Sequence, residues 1–287
     1  SKGWDYHTRN LPTNHYIYTD DPSRLNVYHQ YDLVLSQERG IQLPLSISIA
    51  NQIDIPLIHI DHTEPYPNLN DKKLEILRSY PIDINVCISE HNARTWNVKK
   101  SSWIINHGID TNIFNGWDIN KVKYAGGCNI SNLFVERDDF LDYKLFKSIL
   151  EHKQIKVFGH NPNHLEYHES INNPEVLANR LSEYRYYVNT TKLSPLPMSL
   201  LEAAAVGMPI ITTPYQEIPK YFKDGCNCLI ASNTREFVTA IEKIENDPVF
   251  SSVLGYNARQ TILENFSLKV FIDKWERLIK YAVESRG

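Results

Sequence analysis

The chain has 287 residues, enough for two domains of ordinary size, and 42% of them are hydrophobic, enough to build a large core. Its formal net charge of −4 gives no global attraction to nucleic acid or to an anionic membrane. No apolar run approaches 18 residues and no leader-like segment opens the chain, so the sequence reads as that of a soluble, cytoplasmic protein. Cys87, Cys128, Cys226 and Cys228 are scattered. The Cys226-Asn-Cys228 spacing is not that of a zinc site and has no partner pair, so free thiols in a reducing compartment are expected.

In the first half, short apolar runs at 15–19, 33–36, 56–61, 84–89 and 103–106 predict strands, and 43–52, 71–79 and 90–96 predict helices. Strands alternating with helices imply a parallel sheet covered on both faces. Residues 56–65, Pro-Leu-Ile-His-Ile-Asp-His-Thr-Glu-Pro, form a strand that runs into a polar cluster. In doubly wound sheets ligands sit at the C-terminal ends of strands. Alternation puts His59 and Asp61 on one face and His62 on the other. His59 reads as structural. From spacing alone His62 reads as a loop histidine bonded to a neighbour such as Asp61 or Glu64. His107 and Gly108 read as structural, with Gly108 in a tight turn.

The second half starts again with a strand at 122–125, a Gly126-Gly127 break and a helix ending at Leu150 that opens at Phe140. Strands follow at 155–160, ending in Gly159, and at 185–189, leading to Thr190, Thr191 and Lys192. Residues 194–213 then read as loop, short helix, sharp stop and strand. Ser199 is placed to cap the helix, with Glu202 at capping-box spacing. Gly207 and Pro209 end it, and Ile210 and Ile211 open a buried strand. An anion would be stabilised at this helix N-terminus. Pro195 and Pro197 cannot donate N–H, which leaves the amides of Leu196, Met198 and Ser199. Helices are expected at 234–246 and 247–264. Ser267 caps a last amphipathic helix with Phe271, Trp275, Leu278 and Ala282 on one face.

The run Ser-Pro-Leu-Pro-Met-Ser-Leu-Leu-Glu-Ala, followed by Gly-Met-Pro-Ile, resembles the nucleotide-sugar motif of retaining GT-B glycosyltransferases, family 4 in particular. That motif is usually Glu, seven residues, Glu. Glu202 falls on the second acid, which in the family hydrogen-bonds the donor ribose. The first acid, which contacts the transferred sugar, falls on Ser194, so the pattern is broken there. The stretch 104–114 is similar to the family segment that leads into the interdomain linker, with His107 where Asn is usual. Residues 84–92 resemble its strand and Ser-Glu turn, and 214–230 resemble the loop after the motif, where Glu217 would hold the loop. His62 falls on the family's active-site histidine.

The resemblance implies an α/β protein of the GT-B fold, with two Rossmann-like domains and the active site in the cleft between them. Residues 1–110 would form the acceptor side and 111–267 the nucleotide-sugar side, with a helix over 268–287 packing back on the first. It implies transfer of a sugar from a UDP- or GDP-sugar with retention, and no cofactor. Metal independence is expected because no Asp-x-Asp motif is present. Arg137 is the best match to the family's diphosphate-binding cation and Lys144 the second. The nucleobase would lie near Gly159 and Asn161. The acceptor, whether glycan, lipid or nucleic acid, is left open. Two other readings remain. One is a phage-type DNA glucosyltransferase of the same fold class, using Lys72-Lys73 and Lys99-Lys100 as a local patch. The other is a non-catalytic nucleotide-sugar-binding protein, prompted by Ser194.

Overall fold

The structure is a computed structural model that describes residues 31–65, 69–98, 102–161, 168–194 and 196–285. The strand expected at 15–19, the Lys99-Lys100 pair and Pro195 lie outside the described residues. Two parallel sheets organise what is described. The first has the order β1 (Val34–Ser36), β2 (Leu57–Asp61), β3 (Ile84–Cys87), β4 (Trp103–Ile104). Three helices connect these strands: α1 (Gln42–Ile53), α2 (Asp71–Arg78) and α3 (Glu90–Thr95). All five residues of β2 are buried, as a parallel strand covered on both faces requires. Side chains set the helix starts: Asn70 accepts from the Lys73 amide and Ser89 from the Asn92 amide.

The second sheet contains β5 (Gly127–Ile130), β6 (Ile155–Phe158), β7 (His168–Glu169), β8 (Tyr187–Asn189), β9 (Ile210–Thr212) and β10 (Leu229–Ile230). Its order is β10-β9-β8-β5-β6-β7, with every described pairing parallel. Its helices are α4 (Asp138–Leu141), α5 (Tyr143–Leu150), α6 (Pro174–Ser182), α7 (Met198–Val206), α8 (Ile218–Tyr221), α9 (Thr234–Asn246) and α10 (Pro248–Asn265). The last helix, α11 (Leu268–Glu284), follows this sheet in sequence but packs on the first. Leu278 and Ala282 share a buried cluster with Ile58, Ile60, Ile84, Val86, Ile88 and Ile105, flanked by Phe271 and Trp275.

Several local expectations are corrected. The first strand of the second half is not 122–125 but Gly127–Ile130. Gly127 is no turn residue: a Cβ there would run into the Tyr186 ring, so glycine lets the ring lie across the strand. The single helix expected from Phe140 divides at Asp142, which has φ 52° and accepts from the Leu145 amide to start α5. Ser199 does not cap α7. The N-cap is Pro197, whose carbonyl accepts from Leu200 and Leu201, and no side chain caps the helix. Gly207, at φ 100°, ends α7. The helix is buried from Leu200 through Val206 except for Glu202, and its alanines let α10 approach closely. The four cysteines are unpaired. No described helix is long and apolar enough to cross a membrane.

Candidate active site

From β5 the chain moves outward through β6 and β7. It then returns to the other side of β5 and moves outward again through β8, β9 and β10. The strand order therefore reverses between β5 and β8, and a crevice opens at their C-terminal ends. A pocket of about 330 Å³ occupies it. The loop after β5 brings Ser131, Asn132 and Arg137; the segment after β8 brings Thr191 and Ser194; the first turns of α7 bring Met198, Ser199 and Glu202. Five of the residues singled out from sequence thus line one cavity: Arg137, Ser194, Met198, Ser199 and Glu202.

Their surroundings differ. The Glu202 carboxyl is largely withdrawn from solvent, and burial pushes it up to about 7. Because Leu200 and Leu201 return their amides to Pro197, the Met198 and Ser199 amides lead the helix at its positive end. Arg137 is exposed, with no carboxylate partner among the described residues. Its neighbour Asp138 is engaged by Lys144, through the ammonium at 3.1 Å and the backbone amide at 3.0 Å.

Five predicted site residues lie apart from this cavity. Lys144 stays at the surface, with 86% of its side chain exposed. Leu196 is buried in the core beside Leu200 and Leu201. Gly159 and Asn161 support the loop after β5 from behind. Gly159 has φ 119°, and a Cβ there would strike the Ser131 carbonyl oxygen. Asn161 donates to that same oxygen at 2.7 Å and accepts from the Phe134 amide at 2.7 Å. The fifth is His62, at the C-terminal end of β2.

The end of β2 is locked by a buried network. Arg39 grips Asp61 in bidentate fashion, with both N–O distances at 2.6 Å. Asn85 donates to Asp61 at 2.7 Å and His59 Nε2 lies 3.3 Å away. The Arg39 guanidinium also donates to the Leu77 carbonyl and lies 4.3 Å over the Trp96 ring. Burial raises the Asp61 carboxyl, but the bonds from Arg39 and His59 outweigh it and hold it below its ordinary range. Arg39 is 22 residues from Asp61, and no local motif announces the pair.

With Asp61 so engaged, and Glu64 beside His91 at 3.4 Å, His62 is left for other contacts. It lines a second pocket, of about 380 Å³, with Glu38, Thr63, Glu64, Lys73 and Trp96. Its ring stacks on that of His107, centroids 5.6 Å apart and planes within 3°. His62 Nε2 is buried without a hydrogen-bond partner among the described residues. Burial lowers the pKa of both rings, and that of His107 to about 4.

The halves of the chain meet beside these pockets. Glu217, buried before α8, accepts from the His91 amide at the start of α3 at 2.7 Å. Lys220 of α8 pairs with Glu90 at 2.7 Å. Tyr215 lies against Asn189 and Thr191 and faces Glu64, so one buried phenol adjoins residues of both pockets. Tyr215 carries no motif that sequence reasoning could use.

Residues 137–277 match a family model described as glycosyl transferase-like. No curated protein sequence matches the chain. Among solved structures, sucrose-phosphate synthase from Thermosynechococcus elongatus superposes with a TM-score of 0.72 at 15% identity, over 92% of this chain and 77% of that one. HepE from Anabaena, in complex with UDP, gives 0.71 at 13% identity, over 87% and 79%. A glycosyltransferase from Rickettsia africae gives 0.69 at 12%, over 91% and 79%. At such identities the likeness is one of fold, and that fold is GT-B, an α/β architecture of Rossmann-like parallel sheets. Residues 137–277, the stretch that matches the glycosyl transferase-like model, carry most of the switch-point pocket.

Proposed function

We propose that this protein transfers a sugar from a nucleoside diphosphate sugar, a UDP- or GDP-sugar, to an acceptor hydroxyl with retention at the anomeric carbon. The observation that carries this reading is the pocket at the strand-order reversal, which joins Arg137, without a carboxylate partner among the described residues, the uncapped start of α7 and the partly buried Glu202. HepE, of the same fold, is known in complex with UDP and with UDP-glucose, which supports a donor of that class.

In this reading Glu202 accepts from the ribose hydroxyls, and the α7 amides with Arg137 hold the diphosphate. The bond from the anomeric carbon to the diphosphate oxygen breaks, and its electron pair leaves with the diphosphate. The acceptor oxygen forms the new bond on the same face, and its proton passes to the departing diphosphate. The protein contributes position and stabilisation of the leaving charge. His62 meets the transferred sugar from the other half of the chain, and Ser194, shorter than an acid, adjoins it on the donor side. Residues 1–110 serve the acceptor and 111–267 the donor, with 268–287 crossing back. The reaction needs no metal and no cofactor, and takes place in the cytoplasm.

A thermal-shift screen with UDP, GDP and their sugars tests this. A ligand at 100 times its Kd should stabilise the protein by about 2.7 kcal/mol. If no nucleoside diphosphate or its sugar raises the melting temperature, the donor reading fails.

A further inference from the structure

An imidazole that must present one nitrogen to a substrate needs its ring plane fixed. The usual device is a hydrogen bond from its other nitrogen to a carboxylate or carbonyl. Here the adjacent carboxylate, Asp61, is already taken by Arg39, Asn85 and His59. What fixes His62 instead is a ring face: His107 lies parallel to it, with centroids 5.6 Å apart. A face contact restrains the plane without occupying a ring nitrogen. His62 Nε2 remains buried, with no partner among the described residues, in the wall of the 380 Å³ pocket. A buried polar atom left so is costly unless a ligand satisfies it.

His107 is itself held rigidly. Before it, Ile105 donates to the Cys87 carbonyl and the Asn106 side chain to the Ile88 carbonyl. After it, Gly108 lies so close to α11 that a Cβ would sit 2.6 Å from Phe271 Cβ. Ile109 then donates to the Phe266 carbonyl at 2.7 Å and accepts from the Leu268 amide at 2.9 Å. The stacked ring therefore projects from a backbone pinned on both sides.

We propose that His107 is a positioning residue for sugar transfer: stacked flat on His62, it sets the plane of that imidazole and leaves Nε2 to hydrogen-bond a substrate hydroxyl. This rests on the reading in which His62 contacts the transferred sugar. The stack also favours a neutral pair. Asp61 and His59 face His62 from its own strand and His107 from the segment after β4, while Glu38, Arg39, Glu64 and Lys73 line the same pocket. Burial lowers both imidazoles, so both are neutral near pH 7. A neutral ring does not oppose the positive charge that develops on a sugar ring in an oxocarbenium-like transition state.

The test combines histidine NMR on the full chain with turnover of a UDP- or GDP-sugar donor in four proteins: wild type, His107→Ala, His62→Ala and the double variant. With His62 present, His107→Ala should lower kcat about tenfold, leave donor KM within about twofold, and move the His62 titration toward its ordinary value. With His62 already Ala, the same change should cost less than about twofold, because coupled residues are not additive. His107→Phe, which keeps a flat ring, should retain most of the turnover and covers the case in which the truncated variant does not fold. An unchanged His62 titration and kcat in His107→Ala, or equal losses with and without His62, or a His107→Phe protein as slow as His62→Ala, would overturn the positioning role. A wild-type rate in His62→Ala would instead overturn the reading of His62 on which it rests.

Discussion

Replacing Glu202 by Gln should move stability and nucleotide affinity in opposite directions. In the free protein, burial holds this carboxyl at about 7 rather than its ordinary 4.5. A carboxyl whose folded pKa is raised destabilises the fold when it ionises. That cost is absent below about pH 4.5 and complete above about pH 7, where it is on the order of 3 kcal/mol. Gln carries no such charge, so the variant should be the more stable protein at pH 8 and gain nothing at pH 4. Binding runs the other way. Ribose hydroxyls donate to the ionised carboxylate and favour it, so wild-type affinity for a nucleoside diphosphate should rise between pH 6 and pH 8. The variant should lose about 1–3 kcal/mol of binding at pH 8, roughly 5- to 150-fold in Kd, and show no such rise. Calorimetric titration of both proteins at the two pH values, with melting curves alongside, reads all four quantities. A variant that binds nucleotide as tightly as wild type at pH 8 would refute the ribose role, even if its stability changes as described.

Asp61→Asn should cost about 3–5 kcal/mol, because it strands the buried Arg39 guanidinium; chemical denaturation measures this. The Asp61 carboxyl is held low, so its contribution is present above about pH 4 and disappears as pH falls through the folded value; below that, wild type and variant should converge. Leu278→Ala should cost about 2–5 kcal/mol from a cavity between α11 and the first sheet, although Leu278 lies far from either pocket in sequence. A loss below about 1 kcal/mol would show that α11 is not part of that core. Hydrogen exchange should find the His91 amide, bonded to Glu217 across the cleft, less protected than the Ile109 amide at the linker; equal protection would contradict a stiff linker and a yielding cleft edge.

The strands of the first sheet are legible because each is a short β-branched run between helical segments, and burial on both faces keeps such runs uninterrupted. The α7 segment is legible for a different reason: Gly207 and Pro209 end it unambiguously. Its start is not, because a serine at capping spacing looks better than the Pro197 that serves. Gly126-Gly127 reads as a turn because glycine usually breaks a strand; only the Tyr186 ring above it shows why a strand tolerates glycine there. The buried Arg39–Asp61 pair and the His62–His107 stack have no local signature. Each joins residues tens of positions apart, brought together by strand order alone. The lining that the 194–213 stretch gives to the switch-point pocket is therefore largely legible in the sequence, whereas these pairings across the first sheet are not.

The linker between the halves is stitched down rather than free. Arg259 of α10 donates to the carbonyls of Phe114 at 2.7 Å and Thr111 at 3.1 Å, and also to that of Ala205 at the end of α7. Ile109, just before these, exchanges backbone bonds with both sides of the α10–α11 junction. The helix that presents Glu202, the segment that presents His107 and the helix that covers the first sheet thus share one anchored junction. Across the cleft the ties are fewer. They include Glu217 on the His91 amide and Lys220 with Glu90, a half-exposed pair of the kind worth about 0–1 kcal/mol. A structure stiff at one edge and lightly tied at the other opens at the lightly tied edge. That edge is where His62 and Tyr215 stand on opposite halves, so in the proposed reading a substrate entering there would meet residues of both before its diphosphate reached Arg137 and the start of α7.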